Sequence, residues 1–338
     1  MKAVAESVNN AEDYKYSLVD SEEMLNAVVD YYADRYNTVI KADEITAVRG
    51  TQEGMAHLGM AILNPGDVVL LPDPGYPVFE AGSYLGGAEV YYYPLLRENN
   101  FLPVIEDIPE DVLNKTKYIV LSYPSNPVGA SAPKEMYVRM IEYAKKYNFA
   151  IINDNAYSDI IFDGREGFSF LSLPGAKDVG VEFFSLSKSY NVTGLRISFC
   201  IGNKSIIDAF KLLRSQYDFG MSYPAQKAAI AALRGPRDSV KAQCAEYQRR
   251  RDALLNGLRK YGWNVPDSHG TMFVWLPVPE GYTSASFTEA LMDKAGVIGT
   301  PGTAFGPLGE GYIRFALTKS AEELAVIADV IGQSGVLS

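Results

Sequence analysis

Short apolar runs alternate with amphipathic stretches along most of this 338-residue chain. Runs rich in β-branched or aromatic residues predict strands from Asp67 to Leu71, Ala88 to Tyr93, Lys117 to Ser122, Phe149 to Asn153, Val181 to Leu186 and Arg196 to Ile201. Amphipathic segments fill the gaps. The clearest, from Pro133 to Tyr147, has proline in its first turn and puts Met136, Met140, Ile141 and Ala144 on one stripe. Such alternation predicts an α/β fold with a largely parallel sheet covered on both faces. From Ala225 to about Tyr261 the pattern is helical, broken at Gly235-Pro236, and strands from Thr271 to Leu276 and Tyr312 to Leu317 then follow with different spacing. The break predicts a joint between a large domain over 12–235 and a smaller α+β domain over 236–338.

Composition narrows the function classes. A formal charge of -10 without a Lys/Arg block argues against nucleic-acid binding, and the densest basic run, Arg249 to Arg251, reads as a solvated helix face. Cys200 and Cys244 share no metal-ligand or disulfide spacing, which predicts no metal site and a reducing, cytoplasmic setting. The N-terminal residues lack the apolar segment of a signal peptide and no stretch approaches membrane-spanning length, so a soluble protein is expected.

The run from Val181 to Leu186 ends on Lys188, fenced by Ser185, Ser187 and Ser189. If the run is a buried strand, Lys188 emerges at the edge of the sheet rather than in solvent, and desolvation lowers its pKa. A neutral amine there attacks a carbonyl carbon to form a Schiff base, the chemistry that pyridoxal phosphate (PLP) requires. Ser185, Ser187 and Arg196 supply hydroxyl donors and a guanidinium fork suited to a phosphate.

Five further segments place polar groups after a predicted strand or at a helix start. Thr51 and Gln52 open an apolar periodic helix whose free N–H groups suit a phosphate, although a turn capped by Thr51 reads equally well. Tyr76, in Asp73-Pro-Gly-Tyr-Pro77, either stacks on a flat heterocycle or covers the core edge. Asn126 lies between prolines in Ser122-Tyr-Pro-Ser-Asn-Pro-Val-Gly129, where its amide donates to a phenolic oxygen or simply makes a turn. Asp154 ends an apolar run; it pairs a pyridine nitrogen or caps a helix, and Tyr157 three residues on reaches the same ring. Arg314 interrupts an alternating apolar strand and needs an anion, either a protein carboxylate or a substrate α-carboxylate. His57 and His269 accompany no nucleophile-elbow motif and read as structural.

With Ser-Leu-Ser-Lys188, Arg196, SYPSNPVG, NDNAY and GEGYIRFALT in this order, the chain resembles the fold-type I PLP-dependent aminotransferases of class I/II. Within them it is similar to the aspartate-aminotransferase-like group that includes the LL-diaminopimelate aminotransferases. The resemblance covers nearly the whole chain and implies the PLP-dependent transferase fold, with a large helix-sandwiched domain and a smaller C-terminal one. It implies that Lys188 carries PLP as a Schiff base, Asp154 pairs the ring nitrogen, Asn126 and Tyr157 contact the 3-hydroxyl oxygen and Tyr76 stacks on the ring. Thr51, Gln52, Ser185, Ser187 and Arg196 bind the phosphate, and Arg314, beside Asn126, grips the substrate carboxylate. It further implies a homodimer with shared active sites, in which Tyr16 reaches the partner subunit's phosphate.

Two departures from the family pattern stand out. The family carries a further N-terminal segment before the part that aligns with Met1, so residues 1–11 read as the remnant of an N-terminal helix. Tyr223 falls where the diaminopimelate enzymes carry a site-lining asparagine. The expected function is amino transfer between an L-amino acid and a 2-oxo acid, without nucleic-acid or membrane partners. The alternatives are a β-eliminating C–S lyase, or a PLP-binding protein without turnover if the shortened N-terminus disables it.

Overall fold

The structure is a computed structural model, and it describes residues 1–337. Ten strands form two sheets. Seven of them, β1 (Ile45–Val48), β2 (Val68–Asp73), β3 (Glu89–Pro94), β4 (Thr116–Ser122), β5 (Ala150–Asp154), β6 (Gly180–Ser185) and β7 (Ser198–Gly202), make the large sheet in the order β1-β7-β6-β5-β4-β2-β3. The remaining three, β8 (Phe273–Pro277), β9 (Thr300–Pro301) and β10 (Tyr312–Ala316), pair antiparallel in the order β8-β10-β9.

The large sheet is parallel except at β7, which runs antiparallel to both β6 and β1. A parallel return needs a crossover that carries the chain back along the strand. The residues between Ser185 and Ser198 instead stay at one end of the sheet, so Ser185 faces Ser198 directly in the ladder. That segment bears Lys188 and Arg196. β6 has partners on both sides, so Lys188 leaves the sheet at the end of an inner strand and not at its edge. β1 escaped the pattern reading: four residues buried on both faces are too short to show a period.

Helices cover both faces of the large sheet. One side packs Glu22–Tyr36, Lys134–Tyr147 and Tyr223–Arg234 against Ile119, Leu121, Ile151 and Phe184, all buried. The other packs Thr51–Ile62, Phe79–Gly86 and Lys204–Tyr217 over Val69, Val120, Ile152 and Phe183. Gly59 and Gly82 let the first two of these helices touch backbone to backbone, where any Cβ would overlap the opposing chain. That contact fixes the helix whose first turn faces the site.

Glu182, fully buried on β6, is a carboxylate inside a run that reads as apolar. It accepts from Tyr32 Oη and Ser169 Oγ at 2.8 Å, from the Phe170 N–H at 2.8 Å and from Asn153 Nδ2 at 2.9 Å. Four donors meet the requirement that a buried charge be hydrogen-bonded. They tie β5 and β6 to the helix Glu22–Tyr36 one residue from Asp154.

A second core gathers Tyr247, Leu254, Leu258, Trp263, Phe287, Ile313 and Leu324, and draws Tyr157, Ile160 and Phe162 from the other side of the joint. The helical stretch breaks between Arg234 and Asp238, at the Gly235-Pro236 position. The helix Asp238–Lys260 packs into this second core and hydrogen-bonds to the large domain at Ile161, Asp163 and Lys188. No helix among the described residues is long and apolar enough to cross a membrane.

Candidate active site

The parallel strands end in one crevice, and each end delivers a polar side chain. The loop after β1 gives Gly50, Thr51 and Gln52; the turn after β2 gives Tyr76; the turn after β4 gives Asn126. β5 ends on Asp154 with Tyr157 beyond it, and β6 ends on Ser185, followed by Ser187 and Lys188. Arg196 enters just before β7, and Arg314 comes from β10 of the small sheet. These residues, with Ala156 and Phe273, line one cavity of about 240 Å³. Ligand crevices of open α/β sheets lie at the carboxyl ends of their strands, as here.

One end of the cavity is built for an anion. Gly50, not Thr51, is the N-cap of the helix Thr51–Ile62, and no side chain caps it. Its first-turn N–H groups therefore have neither an intrahelical acceptor nor a cap, and they sit at the positive end of the helix dipole. Gly50 has φ +99, and a Cβ there would overlap the Arg196 guanidinium. Arg196 is itself held left-handed at φ 54, with Nη1 donating to the Thr193 carbonyl at 3.1 Å. Ser185 and Ser187 are buried alongside. The donor set fits a phosphate.

The middle of the cavity holds Lys188 and Asp154. Burial, and then the Arg196 charge, lower the Lys188 pKa, while Asp154 opposes them. Burial pushes the Asp154 carboxyl up to about 6, against hydrogen bonds from the Ala156 N–H at 3.3 Å and Ser122 Oγ at 3.4 Å. Among the described residues no cation pairs with it in a salt bridge, although the Lys188 charge also favours the carboxylate, and a protonated ring nitrogen would supply a direct partner. Burial also raises the Tyr157 phenol, with the Asp154 charge second, which keeps it a donor.

At the far end Arg314 donates through Nη1 to Asn126 Oδ1 at 2.8 Å and lies 4.0 Å from the Phe273 ring centroid and 4.5 Å from that of Phe305. Burial holds its pKa below the usual guanidinium value, its Nε is buried without a hydrogen-bond partner, and it forms no ion pair among the described residues. No carboxylate among the described residues pairs with it. Asn126 Oδ1 is engaged by Arg314, which leaves its NH₂ for an acceptor in the cavity.

Every cofactor and substrate residue named from the sequence lines this cavity except Tyr16. Tyr16 is 77% exposed, packs edge-on against Phe219 at 5.2 Å, and lines a neighbouring surface cavity shared with Arg49 and Arg196. Tyr223 begins the helix Tyr223–Arg234 and does not line the site. His57 lies against Glu53 at 3.2 Å and Tyr217, and His269 meets Ser131 Oγ at 3.2 Å, both outside the cavity. Gly50 and Phe273 escaped the sequence reading. A positive φ leaves no mark on a glycine in a turn, and Phe273 reaches Arg314 only because β8 pairs with β10.

A lysine-bearing turn at the end of an inner strand, a helix-end anion site and a buried carboxylate define the PLP-dependent transferase arrangement. The sequence profile of Aminotransferase class I and II matches residues 1–331, and the chain belongs to that family. It is 46% identical over 326 residues to the LL-diaminopimelate aminotransferase of Dehalococcoides mccartyi, covering 95% of this chain and 84% of the relative. It is 41% identical over 333 residues to the enzyme of the same name from Aquifex aeolicus, with 98% and 86% covered. Among solved structures, substrate-bound BacF from Bacillus subtilis superposes with a TM-score of 0.96 at 34% identity, over 99% of this chain and 86% of that one. An aminotransferase from Staphylococcus aureus gives 0.96 at 32%, over 100% and 90%. The protein is a PLP-dependent aminotransferase.

Proposed function

We propose that Lys188 is the residue that carries PLP and moves the proton, and that the cavity takes an α-amino acid by its carboxylate. The observation behind this is the convergence of Lys188, Asp154, Arg196 and Arg314 on one 240 Å³ space. When bound, PLP supplies a carbonyl for the amine and a ring that withdraws electrons from the α carbon. Thr51, Gln52, Ser185, Ser187 and Arg196 would hold its phosphate, and Tyr76 would lie against its ring. Asp154 would keep the ring nitrogen protonated. Asn126 and Tyr157 would donate to the phenolic oxygen. Arg314 clamps the carboxylate with its free donors, which fixes the α hydrogen toward Lys188. Lys188, its pKa lowered by burial, would take and return that proton.

For the donor we take LL-diaminopimelate as the leading candidate, because the curated relatives carry that name at 41–46% identity. We place the protein in the cytoplasm as a homodimer in which Tyr16 completes the partner's phosphate site. The exposed Tyr14, Tyr16, Tyr217 and Phe219 support that assembly. The same reading divides the chain at 12–235 and 236–338, with the helix Lys2–Val8 of the segment 1–11 packed against Tyr223–Arg234. A single-turnover assay tests the reaction. The PLP-loaded enzyme, mixed with LL-diaminopimelate and other amino acids without acceptor, should release one 2-oxo acid per subunit and no ammonia. Ammonia and pyruvate from a cysteine-type substrate would assign a β-eliminating lyase instead.

A further inference from the structure

The helix Asp238–Lys260 belongs to both halves of the molecule. Leu254, Leu255 and Leu258 sit in the second core, where the helix packs along Ala321–Gln333. Its earlier turns lie across the loops of the large sheet. Cys244 Sγ donates to the Ile161 carbonyl at 3.2 Å, Gln248 Oε1 accepts the Asp163 N–H at 3.1 Å, and Arg251 forks onto Asp163 with both bonds at 2.7 Å. Next to these straps, Gln243 Nε2 donates to the main-chain carbonyl of Lys188 at 2.6 Å.

That carbonyl needs an external donor. Lys188 lies in a single helical turn, Leu186–Ser189, closed by the Tyr190 N–H on the Leu186 carbonyl. The last carbonyls of a helix have no intrahelical partner, and here the turn consists of little else. The chain beyond it is conformationally unusual, with Asn191 at φ 55 and Arg196 at φ 54, both left-handed without being glycine. The Gln243 amide thus holds the Lys188 carbonyl from outside the turn, and four methylenes separate this backbone from Nζ.

We propose that Gln243 is a positioning residue for Lys188, through which the helix joining the two cores sets where Nζ stands. The proposal rests on reading Lys188 as the nucleophile. Arg314, on β10, holds substrate independently of this bond, so loss of Gln243 should act on the proton-transfer step and leave binding alone. A misplacement near 1 Å costs on the order of 100-fold in rate.

The test is Gln243→Met, of similar length without the donor. In the cofactor-free protein, hydrogen exchange of the 186–196 peptide should quicken about tenfold while the β4 and β5 peptides keep parent rates. In the PLP-loaded enzyme kcat should fall roughly 10- to 100-fold, with KM within about twofold. Parent-like exchange and kcat, or a lower Tm with both unchanged, would overturn the proposal. If Gln243→Met fails to fold, Gln243→Glu, of the same length with an acceptor in place of the donor, is judged by the same two readouts. Borohydride reduction of the parent separates the two layers: a pyridoxyl group missing from Lys188 overturns the reading of that lysine, whereas the exchange result alone decides whether Gln243 holds the segment.

Discussion

Arg314 of the small sheet donates to Asn126 of the large domain's turn at 2.8 Å, while its Nε stays buried and unpartnered. One hydrogen bond thus joins the cofactor side of the cavity to its substrate side. It also orients Asn126, whose remaining amide hydrogens face the cavity. The guanidinium, flanked by Phe273 and Phe305, is a partly buried cation without a carboxylate partner among the described residues.

Arg314→Ala should therefore act on substrate capture. Removing one member of a desolvated charge pair costs on the order of 2 to 5 kcal/mol, or roughly 30- to several-thousand-fold in kcat/KM. Steady-state kinetics should show most of the loss in KM, with the PLP content of the variant unchanged. Parent-like kinetics would make Arg314 a structural residue.

Asp154 carries a pH dependence whose sign follows from its burial. Its pKa rises from 3.8 to about 6 on folding, so between those values the folded state holds the proton that the unfolded state has lost. Stability therefore falls as pH climbs through that window, and above it the ionised carboxylate costs roughly 3 kcal/mol. In the cofactor-free protein Asp154→Asn should melt higher than the parent near neutral pH, and the difference should fade as pH drops toward 3.8. Activity should move the other way, by about 100-fold or more, because an amide cannot hold a ring-nitrogen proton. Calorimetry across pH and initial rates check both arms.

Gly50→Ala tests the anion end. The added methyl has to share space with the Arg196 guanidinium at a backbone φ of +99. Strain of this kind costs on the order of 1 to 3 kcal/mol. We expect PLP affinity to drop at least about tenfold, measured by fluorescence titration of the cofactor-free protein. An unchanged Kd would detach this helix end from the phosphate.

Tyr16 separates a shared site from a private one. Tyr16→Phe and Lys188→Ala variants are each expected to be impaired alone. Mixed dimers restore one intact site only if Tyr16 serves the partner's lysine. Random mixing makes half the dimers mixed, each with one intact site of two, so recovery of activity toward about a quarter of the parent supports the shared site; no recovery assigns Tyr16 to its own chain or to packing.

Several residues that line the cavity are legible in the sequence because they close a buried apolar run, as Asp154 follows Ile151 and Ile152 and as Ser185 follows Phe183 and Phe184. Strand ends are where an α/β sheet exposes chemistry, so local patterning sufficed. Pairing between distant segments was less legible. The antiparallel β7 depends on where the chain goes between Ser185 and Ser198, and Glu182 is satisfied by donors from three separate segments. Gln243 reads as a polar position on a helix. Its link to Lys188 exists only once the helix Asp238–Lys260 lies across the site.

The central claim is that Lys188 holds the cofactor. The most direct measurement is an absorbance spectrum of the PLP-loaded protein before and after borohydride, followed by mass analysis of the peptide containing Lys188. The account predicts a visible band that borohydride removes, a pyridoxyl group on Lys188 alone, and no such band in Lys188→Ala. A pyridoxyl group on another lysine, or a borohydride-sensitive band that survives in Lys188→Ala, would contradict it.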